Sequence, residues 1–261
     1  MSKIILGAMA AGAAFAGFLG TQITQSSASN SNGAATPAKN VGDGIQSSNP
    51  VVIELFTSQG CSSCPPADML AKRLAKDGNL LVITRPVTYW DRLGWKDTLA
   101  REENTRLQRA YARKDLAGSG VYTPQIVVNG GGGAVGSREG DIRSLVRLAK
   151  NTAGPSIETT RDERGQVIVT ISGKSDYMAG VSLLALSSSE NVSVARGENG
   201  GRKLHYTNVV KDERTLGSWT GKQIRYTLSN QDLSVDGADK YAIIVQRPNA
   251  GFILGAKLLD L

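Results

Sequence analysis

The chain has 261 residues, 40% of them hydrophobic and 20% charged, a balance typical of globular proteins and a length sufficient for two domains. Its formal net charge is +7, but the lysines and arginines are scattered along the chain rather than gathered into a block. We therefore expect no nucleic acid partner and no binding to an anionic membrane surface. One histidine and two cysteines are too few for a structural zinc site, which takes four ligands.

The first 28 residues have the pattern of a secretory signal peptide. Lys3 precedes an apolar stretch at residues 4–20, and Ser26 and Ala28 provide small side chains at the positions that determine cleavage. This pattern predicts export to the periplasm or the exterior, and only an uncleaved signal segment would attach the protein to a membrane. Residues 29–50 are mostly Ser, Asn, Gly and Ala, and they are predicted to be a disordered linker.

Residues 51–152 alternate between strand and helix patterns. Continuous apolar runs predict buried strands, and apolar residues at helical spacing predict the helices between them. The predicted order is β-α-β-α-β-β-α, with strands at 51–56 and 80–87, a loop at 88–97, a helix at 98–114, and a last helix after a Gly-rich turn that has room for a short strand. Such alternation indicates an α/β domain in which helices cover a small sheet.

From residue 153 to residue 261 the apolar period changes to two. Short strands separated by turn residues predict an antiparallel, sandwich-like all-β domain in this second half. The segment "RGENGGRK" is predicted to be a hairpin turn between two of these strands. A further hypothesis is that its Arg196, Glu198 and Arg202 side chains face the cysteine pair of the first half.

Cys61 and Cys64 lie where the first helix is predicted to begin. Backbone N–H groups and the helix dipole favour a thiolate at such a position, so Cys61 is the candidate nucleophile, and Cys64 is close enough to resolve a mixed disulfide. Pro65 and Pro66 fit the first helical turn, where their missing N–H groups break no hydrogen bond. Two alternatives stay open: a permanent disulfide, and a pair of thiolates that binds copper.

A second element supports a redox role. The Thr123–Pro124 bond directly precedes a predicted strand, and a cis bond at this place would be a specific structural device. Tyr89, Trp90 and Trp95 are predicted either to form a recognition surface near the cysteines or to pack their loop onto the body of the domain. His205 is predicted to be a packed or surface residue of a strand rather than a catalytic base.

These residues carry a resemblance to a known superfamily. A strand that ends in C-x-x-C at a helix start, with a Thr-Pro before a later strand, resembles the thioredoxin superfamily, and "TPQIVVNGGGGAVGSREGDI" is similar to its glutaredoxin branch. The chain as a whole, including "ELFTSQGCSSCPPAD", resembles the exported bacterial domain-of-unknown-function 1223 family, which has a thioredoxin-like domain. The residues before and between the cysteines depart from the thioredoxin pattern: Gly60 stands where an aromatic residue is usual, and Ser62 and Ser63 form the intervening pair.

The resemblance implies a role for each matching residue. Cys61 would be the nucleophile and Cys64 the resolving thiol, and Thr123 and Pro124 would hold an extended substrate. Gly136 and Ser137 stand where the glutaredoxin branch contacts glutathione. The acid of the preceding strand has its nearest counterpart in Glu54, which would accept a proton from Cys64. The candidate site residues are therefore Glu54, Cys61, Cys64, Thr123, Pro124, Gly136 and Ser137.

The sequence therefore predicts an exported thiol–disulfide oxidoreductase with a thioredoxin-like domain at 51–152 and a β-rich domain at 153–261. Its substrates would be protein thiols or disulfides, or glutathione, and no resident cofactor is expected. The first alternative is a binding protein on the same scaffold with a structural disulfide. The second is a copper-handling chaperone.

Overall fold

Residues 49–150 and 154–261 are described by the structure, a computed structural model, and they form a mixed α/β fold around one large sheet. The predicted signal peptide, most of the predicted linker and the predicted domain boundary at 152–153 lie outside these residues. Within the linker's last two residues, the Asn49 side chain donates a hydrogen bond of 2.9 Å to the Pro155 carbonyl oxygen.

The first half contains four strands and three α-helices among its described residues. These elements are β1 (Val51–Thr57), α1 (Pro65–Leu74), β2 (Leu80–Pro86), a 3-10 turn (Asp91–Leu93), α2 (Glu102–Ala112), β3 (Gln125–Val128), β4 (Gly132–Val135) and α3 (Glu139–Ala149). The predicted order of strands and helices is confirmed, and the Gly-rich turn does contain a short strand, β4.

Helix α2 begins at Glu102, four residues later than predicted. The preceding residues form other hydrogen bonds: the Asp97 carboxylate accepts one of 2.9 Å from the Leu99 N–H, and the Arg101 N–H donates one of 3.2 Å to the Pro86 carbonyl oxygen. Bonds of this kind compete with the helical backbone pattern, and Arg101, the N-cap of α2, has extended backbone angles.

The second half consists of strands and turns. Its elements are β5 (Ser156–Arg161), β6 (Val167–Ser172), β7 (Ala179–Ser193), β8 (Lys203–Trp219), β9 (Ile224–Leu228), a 3-10 turn (Asn230–Leu233), β10 (Lys240–Gln246) and β11 (Ile253–Leu258). Strands β7 and β8 are long antiparallel neighbours joined by the predicted hairpin turn, which is confirmed.

The large sheet runs through both halves of the chain. Its eight strands have the order β11-β10-β7-β8-β2-β1-β3-β4, and β2 lies parallel to β8 where Thr84 faces Val209. Four strands of the second half therefore belong to the same sheet as the strands of the first half, whereas the predicted sandwich would be a separate domain. Alternation of apolar and polar residues predicts which face of a strand is buried, but it does not select the neighbouring strand.

A smaller sheet of three strands, in the order β5-β6-β9, packs against strands β7, β8 and β10 of the large sheet. Their shared core contains Val169 and Ile171 of the small sheet, Val181 and Ile243 of the large sheet, and the fully buried Trp219. Two layers of strands therefore pack face to face, as the period of two predicts. One layer is the small sheet, and the other is part of the large sheet that both halves of the chain share.

Strand β1 lies between β2, which is parallel to it, and β3, which is antiparallel. Ile53 and Leu55 point to the face covered by α1 and α3, where they pack with Leu70 and Ile142 in one core. Glu54 belongs to the opposite face because successive side chains of a strand alternate. Ile53 and Leu55 therefore face α1, the helix that directly follows the cysteines, and Glu54 does not.

Candidate functional site

The two cysteines form a disulfide at the start of α1. Their Cα atoms are 5.4 Å apart. The helix begins at Pro65, and Cys64 is its N-cap, so its carbonyl oxygen accepts hydrogen bonds from the N–H groups of Ala67 and Asp68. Cys61 precedes the helix in a turn of its own, in which the Cys64 N–H donates a bond of 3.2 Å to the Cys61 carbonyl oxygen. The pair thus lies at the helix N-terminus, with Cys61 outside the first helical turn.

Both cysteines are fully buried, although Ser62 and Ser63 between them are exposed. The turn between β7 and β8 is bonded to the backbone of the cysteine turn. Asn199 of that turn donates two hydrogen bonds of 2.9 Å, one to the Gln59 carbonyl oxygen and one to the Cys61 carbonyl oxygen. The backbone of the cysteine turn is therefore bonded to a residue 138 positions away from Cys61 in the chain.

Glu198 lies at the cysteine turn, as one sequence hypothesis held. Its carboxylate accepts a hydrogen bond of 3.0 Å from the Ser62 N–H, and the Ser62 side chain together with this N–H lowers the pKa of Glu198. Arg202 reaches the site indirectly by donating a 2.8 Å bond to the Asn199 side-chain oxygen. Arg196 is exposed at the tip of the same turn. The sequence reasoning missed Asn199, because a buried asparagine in a Gly-rich turn has no pattern of its own.

The aromatic loop holds three chain segments together around the site. Trp95 donates a hydrogen bond of 2.8 Å from Nε1 to Gln59 Oε1, two residues before Cys61. Trp90 donates one of 2.8 Å from Nε1 to Thr123 Oγ1. Tyr89 and Trp90 are half-buried against the core that contains Phe56. These contacts support the packing interpretation of the aromatic residues, at a place that adjoins the cysteines.

The Thr123–Pro124 peptide bond is cis, and it lies near the first turn of α1. Gly136 connects the two: its N–H donates a bond of 2.9 Å to the Pro124 carbonyl oxygen, and a Cβ atom at this position would lie 3.0 Å from Ala67 Cβ and 3.0 Å from Pro124 Cβ. Glycine is the residue that this close approach admits. Ser137, the next residue, is exposed in the turn before α3.

The structure does not bring Glu54 to the cysteines. Its carboxylate accepts hydrogen bonds of 2.6 Å from Arg85 Nε and 2.5 Å from the Tyr111 hydroxyl, on the face of the sheet opposite α1. Burial alone would lower the pKa of Arg85, but Glu213 and Glu54 together raise it. Burial, with Glu54 next in importance, raises the pKa of Tyr111 well above its usual value. Glu54 is therefore part of a buried ion cluster.

A different acid, Asp68, lies beside the cysteines. It is one helical turn after Cys64 and almost fully buried, and its Oδ1 accepts a bond of 2.8 Å from the Thr57 hydroxyl. Burial raises the pKa of Asp68 well above its ordinary value, and the nearby Asp97 raises it further against the lowering effect of Thr57. In the sequence this acid could have been found, because it occupies the helix position i+4 from Cys64.

Two more ionisable groups adjoin Asp68. Asp97 accepts a bond of 2.7 Å from the Gln59 N–H, yet burial still raises the pKa of Asp97. Burial also raises the pKa of Tyr206, and the charges of Asp68 and Asp97 add to that effect. Among the described residues, neither Asp68 Oδ2 nor the Tyr206 hydroxyl has a hydrogen-bond partner. A buried acid of raised pKa, with one oxygen that has no partner among the described residues, therefore lies one helical turn after Cys64.

Other sequence candidates lie apart from this site. His205 is on β8, where its Nδ1 is 3.2 Å from the Asn191 side-chain oxygen, and burial lowers the pKa of His205. Its prediction as a strand residue is confirmed. Within residues 49–150 and 154–261, no three His, Cys, Asp or Glu side chains are grouped to hold a metal ion. In the same part of the chain, no helix is both long and apolar enough to cross a membrane.

Comparisons with known proteins identify the family. The chain is similar to the crystal structure of protein AGR_C_4864 from Agrobacterium tumefaciens, with 30% identity, a TM-score of 0.70, and coverage of 80% of this chain and 93% of that one. It shares its fold with HBP35 of Porphyromonas gingivalis at 15% identity and a TM-score of 0.51, over 82% of this chain and 76% of that one. No curated protein matches the chain. A family model described as protein of unknown function (DUF1223) matches residues 52–246, and the chain therefore belongs to the DUF1223 family.

Proposed function

We propose that this protein is an exported thiol–disulfide oxidoreductase in which Cys61 and Cys64 exchange disulfides with protein thiols or glutathione. The observation that carries the proposal is the disulfide at the N-terminus of α1, in a loop too short to stabilise the fold by much. A disulfide is also compatible with an exported protein, since oxidising compartments preserve such bonds.

The arrangement around β1 supports a thioredoxin-like layout for the first half. Strands β2, β1, β3 and β4 are neighbours, β1 is parallel to β2 and antiparallel to β3, and α1 follows β1 directly. Pro124 begins the segment that leads into β3, and Gly136 links it to α1 next to Cys64. Thr123 and Pro124 would hold the substrate chain, and Gly136 and Ser137 are the candidate contacts for glutathione.

The proposed reaction transfers two electrons between the cysteine pair and a substrate. In the reduced protein, the Cys61 thiolate attacks one sulfur of a substrate disulfide, and the other substrate sulfur leaves and takes up a proton. The Cys64 thiolate then attacks Cys61 Sγ, the bond between Cys61 and the substrate breaks, and the second substrate sulfur leaves and is protonated. The Cys61–Cys64 disulfide forms, and the substrate gains two electrons and two protons, equal in number to the protons that Cys61 and Cys64 release as they ionise. The reverse steps oxidise a substrate dithiol.

Asp68 takes the proton-transfer role that the sequence suggested for Glu54. Its backbone N–H donates a bond of 3.1 Å to the Cys64 carbonyl oxygen, so the residue follows the resolving cysteine by one helical turn. Because burial keeps the carboxyl group protonated above the usual range, it can supply a proton to Cys64 when the disulfide opens and recover it when the disulfide closes.

The reduction potential of the Cys61–Cys64 pair, measured by equilibration in glutathione buffers, tests the proposal. A potential between about −120 and −230 mV is that of an exchange catalyst. We expect Cys64→Ser to accumulate mixed disulfides with substrate, since Cys61 can attack but nothing resolves the product. The control is the double variant Cys61→Ser with Cys64→Ser, which has no nucleophile. If Cys64→Ser forms no more mixed disulfide with substrate than the double variant does, the proposal is wrong.

The burial of both sulfurs favours a second candidate, in which the disulfide is permanent and the protein acts as a binding module. A buried bond is protected from external thiols, as a structural disulfide should be. A potential below about −300 mV together with a reduced Cys61 of ordinary thiol pKa would favour this candidate.

A further inference from the structure

The turn between β7 and β8 is a separate feature of the molecule, which we name the hairpin tip (residues 194–202). Two backbone bonds close its base: the Val194 N–H donates to the Arg202 carbonyl oxygen at 2.9 Å, and the Gly201 N–H donates to the Val194 carbonyl oxygen at 2.8 Å. Gly197 and Gly201 have φ angles of 77° and 79°, which glycine adopts without strain. The tip is therefore a self-contained loop on a long hairpin.

The hairpin tip is attached to the cysteine turn by polar contacts. Asn199 is completely buried, and both hydrogens of its side-chain amide are donated to carbonyl oxygens, those of Gln59 and Cys61. Glu198 accepts from the Ser62 N–H. The three bonds involve the backbone of Gln59, Cys61 and Ser62, so the tip is fastened to the residue proposed to react and to the residues around it.

Little apolar surface holds the hairpin tip down. Val194 at its base packs with Leu204 and Tyr206, but most of the other tip residues are exposed. A segment that is fastened by a few hydrogen bonds and little buried apolar area opens at a lower free energy than the whole fold. The cores on either side of the large sheet can stay intact when such a segment opens.

We propose that the hairpin tip is a cap that regulates access to the disulfide, and that Asn199 is its main fastening. In the closed state no thiol reaches Cys61, because the side chain is fully buried. Opening of the tip breaks the Asn199 and Glu198 bonds and exposes the Cys61 sulfur without unfolding the protein. The role of the cap as a regulator rests on the proposed function, whereas its protection of the disulfide does not.

The test is the rate at which dithiothreitol reduces the Cys61–Cys64 disulfide in the full chain, followed by alkylation of the freed thiols. Asn199→Ala removes both fastening bonds, and we expect reduction to be about tenfold faster, or more. The matched control is Asn191→Ala, which removes an exposed asparagine bond to His205 on the same hairpin. We expect that control to stay within twofold of the parent. Reduction of Asn199→Ala at the parent's rate would overturn the proposal.

A second measurement uses the parent protein and does not depend on the folding of any variant. The reduction rate is measured at urea concentrations below the unfolding transition. Opening of a small cap exposes little surface, so the rate is expected to depend only weakly on urea. If its urea dependence equals that of global unfolding, the disulfide is exposed only when the whole protein unfolds, and the cap does not exist.

The two proposals can fail separately, because dithiothreitol reduction is a chemical measurement that needs no physiological substrate. Rapid reduction of Asn199→Ala without mixed disulfides in Cys64→Ser would support the cap and contradict the oxidoreductase. Mixed disulfides in Cys64→Ser, with Asn199→Ala reduced at the parent's rate, would support the oxidoreductase and contradict the cap.

Discussion

Two buried polar clusters lie on opposite faces of β1, and they differ in how completely their atoms are bonded. In the ion cluster of Glu54, Arg85 and Tyr111, both carboxylate oxygens of Glu54 accept hydrogen bonds, and Arg85 also contacts Glu213 of β8 at 2.8 Å. In the cluster beside the disulfide, Asp68 Oδ2 and the Tyr206 hydroxyl have no partner among the described residues.

The difference separates a structural cluster from a candidate chemical one. The ion cluster connects the first half of the chain to β8, and through Gln246, which donates a 2.8 Å bond to the Tyr111 hydroxyl, to β10. A fully bonded network of this kind fixes the position of the strands it joins. Buried groups without a partner cost free energy, so the cluster beside the disulfide contributes less to stability than the fully bonded one. We therefore expect the ion cluster to contribute to stability and, under the proposed function, the cluster beside the disulfide to contribute to the exchange.

The largest expected effect tests the structural cluster. Glu54→Gln keeps the size of the side chain but leaves the buried Arg85 with one carboxylate fewer, and we expect a loss of about 3 kcal/mol in the free energy of unfolding. Urea denaturation measures it. The control is Glu139→Gln, whose pairs with Arg73 and Arg143 are exposed, and its stability should be nearly unchanged. Equal losses in the two variants would remove the distinction between a buried and an exposed ion pair.

The next effect concerns pH and the cluster beside the disulfide. Because burial raises the pKa of Asp68 in the folded protein, its stabilising contribution is complete below the unfolded pKa of about 3.9 and is lost as the pH rises through the folded pKa. Asp68→Asn cannot ionise and can still accept the Thr57 bond. We expect it to be more stable than the parent at pH 7, with the advantage vanishing near pH 4.

Denaturation at several pH values measures this difference, and each tenfold rise in the proton affinity of Asp68 contributes about 1.4 kcal/mol. We also expect Asp68→Asn to exchange disulfides more slowly, since Cys64 loses its proton donor. A variant that gains stability at neutral pH while its rate is unchanged would leave Asp68 without a chemical role. A variant whose stability follows the parent at every pH would contradict the raised pKa.

The smallest effect tests the contact between α1 and Pro124. Gly136→Ala places a methyl group 3.0 Å from both Ala67 Cβ and Pro124 Cβ, and such overpacking is expected to cost about 1–3 kcal/mol. Gly140→Ala is the matched control on α3: no heavy atom lies within 4 Å of its added Cβ, and alanine favours the helix by up to about 1 kcal/mol. Opposite signs are expected in urea denaturation. A Gly136→Ala variant as stable as the parent would show that α1 and the Pro124 segment separate readily.

The elements of the first half were predictable because their signals are local. The apolar run of β1 and the helical stripe through Ile142 both predict a structure from adjacent residues, and the structure contains both. The start of α2 was not predictable, because Asp97 and Arg101 bond to distant residues such as Gln59 and Lys211. A side chain that bonds outside its own segment overrides the local helical preference.

The candidate site divides in the same way. Sequence motifs selected Cys61, Cys64 and the Thr123–Pro124 pair, since spacing and residue type carry the chemistry of thiols and of proline. The resemblance to thioredoxins pointed to Glu54 as the buried acid, but its position in β1 places it on the face of the sheet opposite α1. Asp68, the buried acid on α1 itself, was not predicted.

By itself, the sequence determined the family, the order of strands and helices within the described residues, and the position of the cysteine pair before α1, because each depends on residues near one another in the chain. Only the tertiary structure decided that both halves share one sheet, that the Asp68 side chain bonds to Thr57, and that Asn199 bonds to the Cys61 backbone. The physical reason is that pairing of β2 with β8 brings together segments more than a hundred residues apart, and alternation along a strand gives no information about its neighbour.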